Sequence, residues 1–148
     1  MRRIIITIGA CLALVLGLQT YAQASITKNK CLTLYADDHT TDEACMVVKY
    51  HAMSGAPGIS VDRLTISYDG ADMQSVDCYS IRLRNANGVT TWVKQGGECD
   101  IPSYPSYRTF VPIQDMPQSA YADLIWSANG NVAGATDKDF TLTIRCDQ

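Results

Sequence analysis

The side chains able to do covalent or acid–base chemistry are few and scattered in this chain. His39 and His51 are the only histidines. Asp37-Asp38-His39 is the one place where a base and carboxylates adjoin; an acidic polar turn accounts for it, and His51 reads as the end of a strand. No G-x-S-x-G elbow presents a serine nucleophile. No H-E-x-x-H places two histidines on one helical face for zinc. A glycosidase needs two carboxylates across a cleft, and the two glutamates, Glu43 and Glu98, fall in separate loops. Calcium needs clustered oxygen ligands. Asp69-Gly70-Ala71-Asp72 and the stretch Asn129 to Asp139 match that need only loosely, as ordinary turn chemistry does. No P-loop or dinucleotide fingerprint occurs. The expectation is therefore a non-enzyme with no catalytic residue, no metal and no cofactor.

The aromatic residues point to binding instead. Trp92 lies between Thr90 and Lys94 in a strand-like stretch, with Arg82 on the preceding one. Trp and Arg are enriched where interfaces carry their energy. Ile101-Pro102-Ser103-Tyr104-Pro105-Ser106-Tyr107 is the second feature. Its prolines bias the preceding residues towards extended conformations, which stiffens the loop and lets Tyr104 and Tyr107 stand out. Tyrosine gives contact area at low entropy cost, with a hydroxyl for polar groups. Trp92, Arg82, Tyr104 and Tyr107 are the candidate ligand-binding residues. Trp126 shares its alternation with Ala122 and Leu124 and belongs in the core.

The elements that must position these residues show the period-two alternation of half-buried strands. Phe140, Leu142, Ile144 and Cys146 alternate with Thr141, Thr143 and Arg145. Leu64, Ile66 and Tyr68 do the same, as do Tyr79, Ile81 and Leu83. Leu32 with Leu34, and Val111 with Ile113, suggest two further strands. Turn-like segments separate them at 54–58, 69–72, 96–106 and 129–138. The pattern predicts an all-β chain: a single antiparallel β-sandwich of about seven or eight short strands. Residues 41–54 admit two readings. Thr40 and Glu43 fit a capping box and so a short helix. Ala44, Met46, Val48, Tyr50 and Ala52 alternate, and the β-branched Val47 and Val48 favour a strand, the preferred reading.

The hairpin around Asn87-Gly88 also admits two registers. A two-residue loop pairs Leu83 with Trp92 and leaves Lys94 on the face of Ile81. A three-residue loop, Ala86-Asn87-Gly88, puts Gly88 at the left-handed position and pairs Ile81 with Val93 and Arg82 with Trp92. The second keeps each face chemically uniform and is expected. It brings Trp92 and Arg82 together on a polar face.

Composition and the N-terminus fix the compartment. Arg2 and Arg3 precede an apolar run from Ile4 to Leu18, and Ala22-Gln23-Ala24 is a small-residue cleavage site. This is the build of a secretory signal peptide over 1–24. The run is shorter than the about 20 residues of a membrane span. One domain, 25–148, follows. The chain carries a net charge of −3, and loss of the leader's arginines makes the remainder more acidic. That argues against nucleic acid, whose binders show a basic footprint, and against an anionic membrane surface. Five cysteines remain: Cys31, Cys45, Cys78, Cys99 and Cys146. In an oxidising compartment they pair. The hairpin sets Cys78 near Cys99, and a polar loop brings Cys31 to Cys45, leaving Cys146 as a core-facing free thiol. A periplasmic or secreted binding protein results. Its expected partner is another protein, as for an inhibitor or immunity protein against a cell-envelope enzyme. A glycan is the alternative, as for a carbohydrate-binding module, an adhesin or a pilus-like subunit.

Overall fold

A computed structural model describes residues 23–148; most of the leader expected at 1–24 lies outside the described residues. These form nine strands: β1 Ile26–Ala36, β2 Thr41–Ala52, β3 Gly58–Asp69, β4 Met73–Asn85, β5 Thr90–Gln95, β6 Tyr107–Phe110, β7 Gln114–Pro117, β8 Tyr121–Val132 and β9 Lys138–Asp147. One sheet has the order β1-β2-β3-β6, with β7 also paired to β3. The other has the order β5-β4-β8-β9. All pairings are antiparallel. The architecture is the expected all-β sandwich.

Alternation in the sequence becomes alternation of burial. Along β2, Ala44, Met46, Val48 and Tyr50 are fully buried, so the segment with two readings is a strand. Thr40 caps no helix; its hydroxyl bonds Asp37 and Asp72. Tyr50 keeps its ring in the core by donating its hydroxyl to the Asp147 carbonyl at 2.9 Å. Trp126 is buried, as its parity predicts, and meets Phe140 edge-on at 4.9 Å. Such edge-to-face pairs are worth about 0.5–1.5 kcal/mol beyond their area.

Two expectations about element bounds are corrected. Val111 and Ile113 fall in the link between β6 and β7, not in a strand of their own; Pro112 between them has no N–H for a ladder. The turn expected at 129–138 begins later, because β8 runs on to Val132. Gly130 leaves room there for the end of the Leu34 side chain, from which a Cβ would lie 2.6 Å.

Both expected disulfides are present. Cys31 and Cys45 are directly opposed on β1 and β2. Cys78–Cys99 ties β4 to the loop after β5 inside the core. Cys146 is free and buried. Burial pushes its thiol up to about 12, so it stays protonated and unreactive.

Edge strands are blunted by lysine. The edges of β1 and β9 face one another across a groove of about 500 Å³ lined by residues 27–30 and 143–145. Lys30 donates to the Thr143 carbonyl at 3.1 Å and Lys28 to that of Arg145 at 2.9 Å. Lys28 also pairs with Asp147, which holds that carboxyl below the usual range. These contacts occupy carbonyls that would otherwise template another strand.

Candidate functional site

The β4–β5 hairpin decides where Trp92 goes. Its loop is the expected one: Asn85 N–H bonds the Val89 carbonyl at 3.0 Å, and Gly88 takes φ +80°. Arg84 pairs with Thr90 in the expected register. A bulge then absorbs Thr91. Beyond it Leu83 pairs with Trp92, Arg82 with Val93, Ile81 with Lys94 and Ser80 with Gln95. The expected pairs Ile81–Val93 and Arg82–Trp92 are therefore overturned, because one extra residue flips every later side chain to the other face.

Packing explains the flip. Trp92 turns inward at the open side of the sandwich, is partly buried against the core, and meets Phe110 of β6 edge-on at 5.8 Å. Lys94 shares that side, which looked inconsistent in the sequence. It is tolerated because β5 is an edge strand: its stem runs past Trp92, with Nζ 6.0 Å from the ring, and its ammonium reaches Glu98 at 3.7 Å. Arg82 points the other way, onto the exposed face, beside Val93 and Ile125. Trp92 and Arg82 thus lie on opposite faces of one sheet and form no joint surface.

The tyrosine loop behaves as its prolines suggest. Ile101 pairs with Val76 through two backbone bonds of 2.9 and 3.0 Å. Tyr68 donates its hydroxyl to the Pro102 carbonyl at 2.9 Å and its N–H to that of Ser106 at 3.1 Å. Arg108 donates to the carbonyls of Gly97 and Asp100 at 2.9 and 3.0 Å. Between these anchors Tyr104 is 89% exposed. Tyr107, 55% exposed, starts β6 on the outer face of its sheet, opposite Ser67. Phe110, three residues on, faces Trp92, so Tyr107 lies on the face of β6 turned away from Trp92.

Two clusters went unread in the sequence because they assemble across strands. On the outer face of the β4-β8-β9 sheet, Tyr79 is 54% exposed and donates its hydroxyl to Asp139 at 2.6 Å. Asn129 donates to the same carboxylate at 2.8 Å. The two donors hold Asp139 below the usual carboxylate range, and the hydrogen bond to Asp139 pushes the Tyr79 hydroxyl up. The second cluster crosses β2, β3 and β7. His51 Nδ1 lies 2.8 Å from Asp62, and His51 pairs in register with Ser60. The residue types are those of a hydrolytic triad, but the Ser60 hydroxyl donates to Asp115. A triad requires that hydroxyl to face the imidazole. Cys31, Glu43 and Cys45 also lie together, yet both sulfurs are spent in a disulfide and the metal ligand is the thiolate.

No protein-family model, characterised protein or solved structure matches this chain, so its site is read from the residues alone.

Proposed function

We propose that this chain is an exported, non-enzymatic binding protein whose ligand is another protein, and that the Tyr104–Tyr107 loop is its contact surface. An inhibitor or immunity protein acting on a cell-envelope enzyme is the concrete form. The observation that carries the reading is Tyr104. Its ring stands 89% exposed on a loop anchored at both ends by side chains and a disulfide. An aromatic ring uncovered in water brings no stability to its own chain. A loop already ordered loses little entropy on docking, which is the main cost of using a loop for recognition. The periplasmic or extracellular setting rests on the leader motif and on the two disulfides, which persist in oxidising compartments.

The test is retention of a partner from a cell-envelope extract on the immobilised, oxidised protein, with Tyr104→Ala and Tyr107→Ala beside the parent. A hot-spot tyrosine costs at least about 2 kcal/mol, near thirtyfold in affinity. Equal retention by the folded variants would refute the loop as the surface. A glycan-binding reading has its own observation, the exposed Tyr79 beside Asp139 and Asn129. It predicts that soluble glycan fragments, and Tyr79→Ala rather than Tyr104→Ala, abolish retention.

A further inference from the structure

The β1–β2 and β3–β4 turns meet at one end of the sandwich. Neither lysine nor arginine occurs between positions 31 and 48 or between 64 and 81. The two turns carry Asp37, Asp38, Asp42, Asp69 and Asp72. Acidic turns are common and say nothing by themselves about a ligand. Asp42 is a different kind of group. It is 0% exposed. Its Oδ1 accepts the backbone N–H groups of Asp72 at 3.0 Å and Met73 at 3.2 Å. Its Oδ2 is equally buried and has no hydrogen-bond donor among the described residues. Its Oδ1 faces the 69–73 turn: a Cβ on Gly70 would fall 2.0 Å from that oxygen.

A buried carboxylate oxygen without a partner is among the costlier features a fold can hold. A carboxylate oxygen only accepts, so the group that completes it is a hydrogen-bond donor or a cation. The surrounding donors are hard oxygens. Asp72, in the turn just before β4, lies beside Asp42 and is only partly buried. The Thr40 hydroxyl sits between Asp37 Oδ1 at 3.2 Å and Asp72 Oδ2 at 3.1 Å. Asp37 also accepts the N–H groups of His39 and Thr40, which keeps its carboxyl charged and orders the loop. Oxygen ligands from irregular turns suit calcium, whose coordination is flexible. Magnesium demands near-octahedral geometry and holds its waters, and the soft metals prefer sulfur or imidazole.

We propose that Asp42 and Asp72 bind a calcium ion at this end of the sandwich. Asp42 supplies the buried oxygen and Asp72 the solvent-facing carboxylate, with water and turn carbonyls completing the shell. The ion then reinforces the junction that Asp42 already makes between the start of β2 in one sheet and the start of β4 in the other. The sequence hid this site because Asp42 stands 30 positions from Asp72, outside the Asp69–Asp72 stretch.

The test is calcium chloride added to the purified, disulfide-bonded protein, followed by thermal unfolding and titration calorimetry. Extracellular calcium modules bind in the range of about 0.1–1 mM, so about 10 mM calcium should raise Tm by about 5–10 °C. Asp72→Asn should remove the rise while leaving the calcium-free Tm nearly unchanged. Asp42→Asn should also remove it, and Asp72→Asn serves alone if Asp42→Asn does not fold. No rise and no binding heat in the parent would overturn the proposal. So would an equal rise in Asp72→Asn, or an equal or larger response to magnesium chloride.

Discussion

Replacing Trp92 by alanine separates the inward register from the outward one. The ring is partly buried, packs on the core and meets Phe110 at 5.8 Å with an interplanar angle of 77°. A fully buried Trp→Ala change costs about 3–5 kcal/mol. Partial burial roughly halves that, and loss of the edge-to-face pair returns about 0.5–1.5 kcal/mol. Trp92→Ala is therefore expected to destabilise the fold by about 2–4 kcal/mol. Urea unfolding would register this as a fall in midpoint of about 1–2 M at constant slope. A double-mutant cycle with Phe110→Ala should give a coupling of about 0.5–1.5 kcal/mol. Arg82→Ala is the control. Its side chain is exposed on the other face, so its effect should stay within about 0.5 kcal/mol. A Trp92→Ala protein as stable as the parent, with no coupling to Phe110, would refute the bulge at Thr91 and restore the pairing of Trp92 with Arg82.

Two glycines in turns should differ sharply. Gly70 has φ +130°, and a Cβ there meets Asp42 Oδ1 at 2.0 Å and Asp42 Cα at 2.7 Å, whereas Gly88 at φ +80° has nothing within 4 Å. Gly70→Ala should cost more than about 2 kcal/mol and Gly88→Ala about 1 kcal/mol in denaturant unfolding; equal losses would contradict the close packing of the acidic turns. The Cys146 thiol should resist aromatic disulfide reagents in the folded protein and react fully in denaturant. Its folded value near 12 lies above the ordinary 9.0, so its contribution to stability is whole below pH 9 and is lost as pH rises towards 12. A native thiol that reacts at neutral pH would refute its burial.

Local alternation was sufficient for the fold class, because a strand with one buried face writes itself into every second residue. Phe140 to Cys146 and Ala44 to Tyr50 could be assigned on that ground alone. The disulfides were legible for the same reason: once β1–β2 and β4–β5 are hairpins, Cys31 faces Cys45 and Cys78 approaches Cys99. What alternation cannot encode is a residue that breaks it. Thr91 is chemically ordinary, and its insertion into β5 is favoured by Phe110, nineteen residues further on and in the other sheet. The turn is legible in the sequence and the bulge one residue beyond it is not, so the expected Trp92–Arg82 surface does not form.

The same limit separates the two kinds of candidate site. Tyr104 was visible because its exposure follows from its own neighbours: prolines on either side and no apolar period to pull the ring inward. Asp42 was not. Its inward position follows the alternation of β2, which would ordinarily assign an apolar residue there. A carboxylate at a core parity is the one departure from the binary pattern of β2 that its neighbours do not explain. Such a departure persists only if something offsets it, and two backbone N–H groups where the β3–β4 turn meets β4 supply part of that offset. The unpartnered Oδ2 marks the remainder. That is why the proposed cation site is placed at Asp42 rather than on the exposed acidic turns around it.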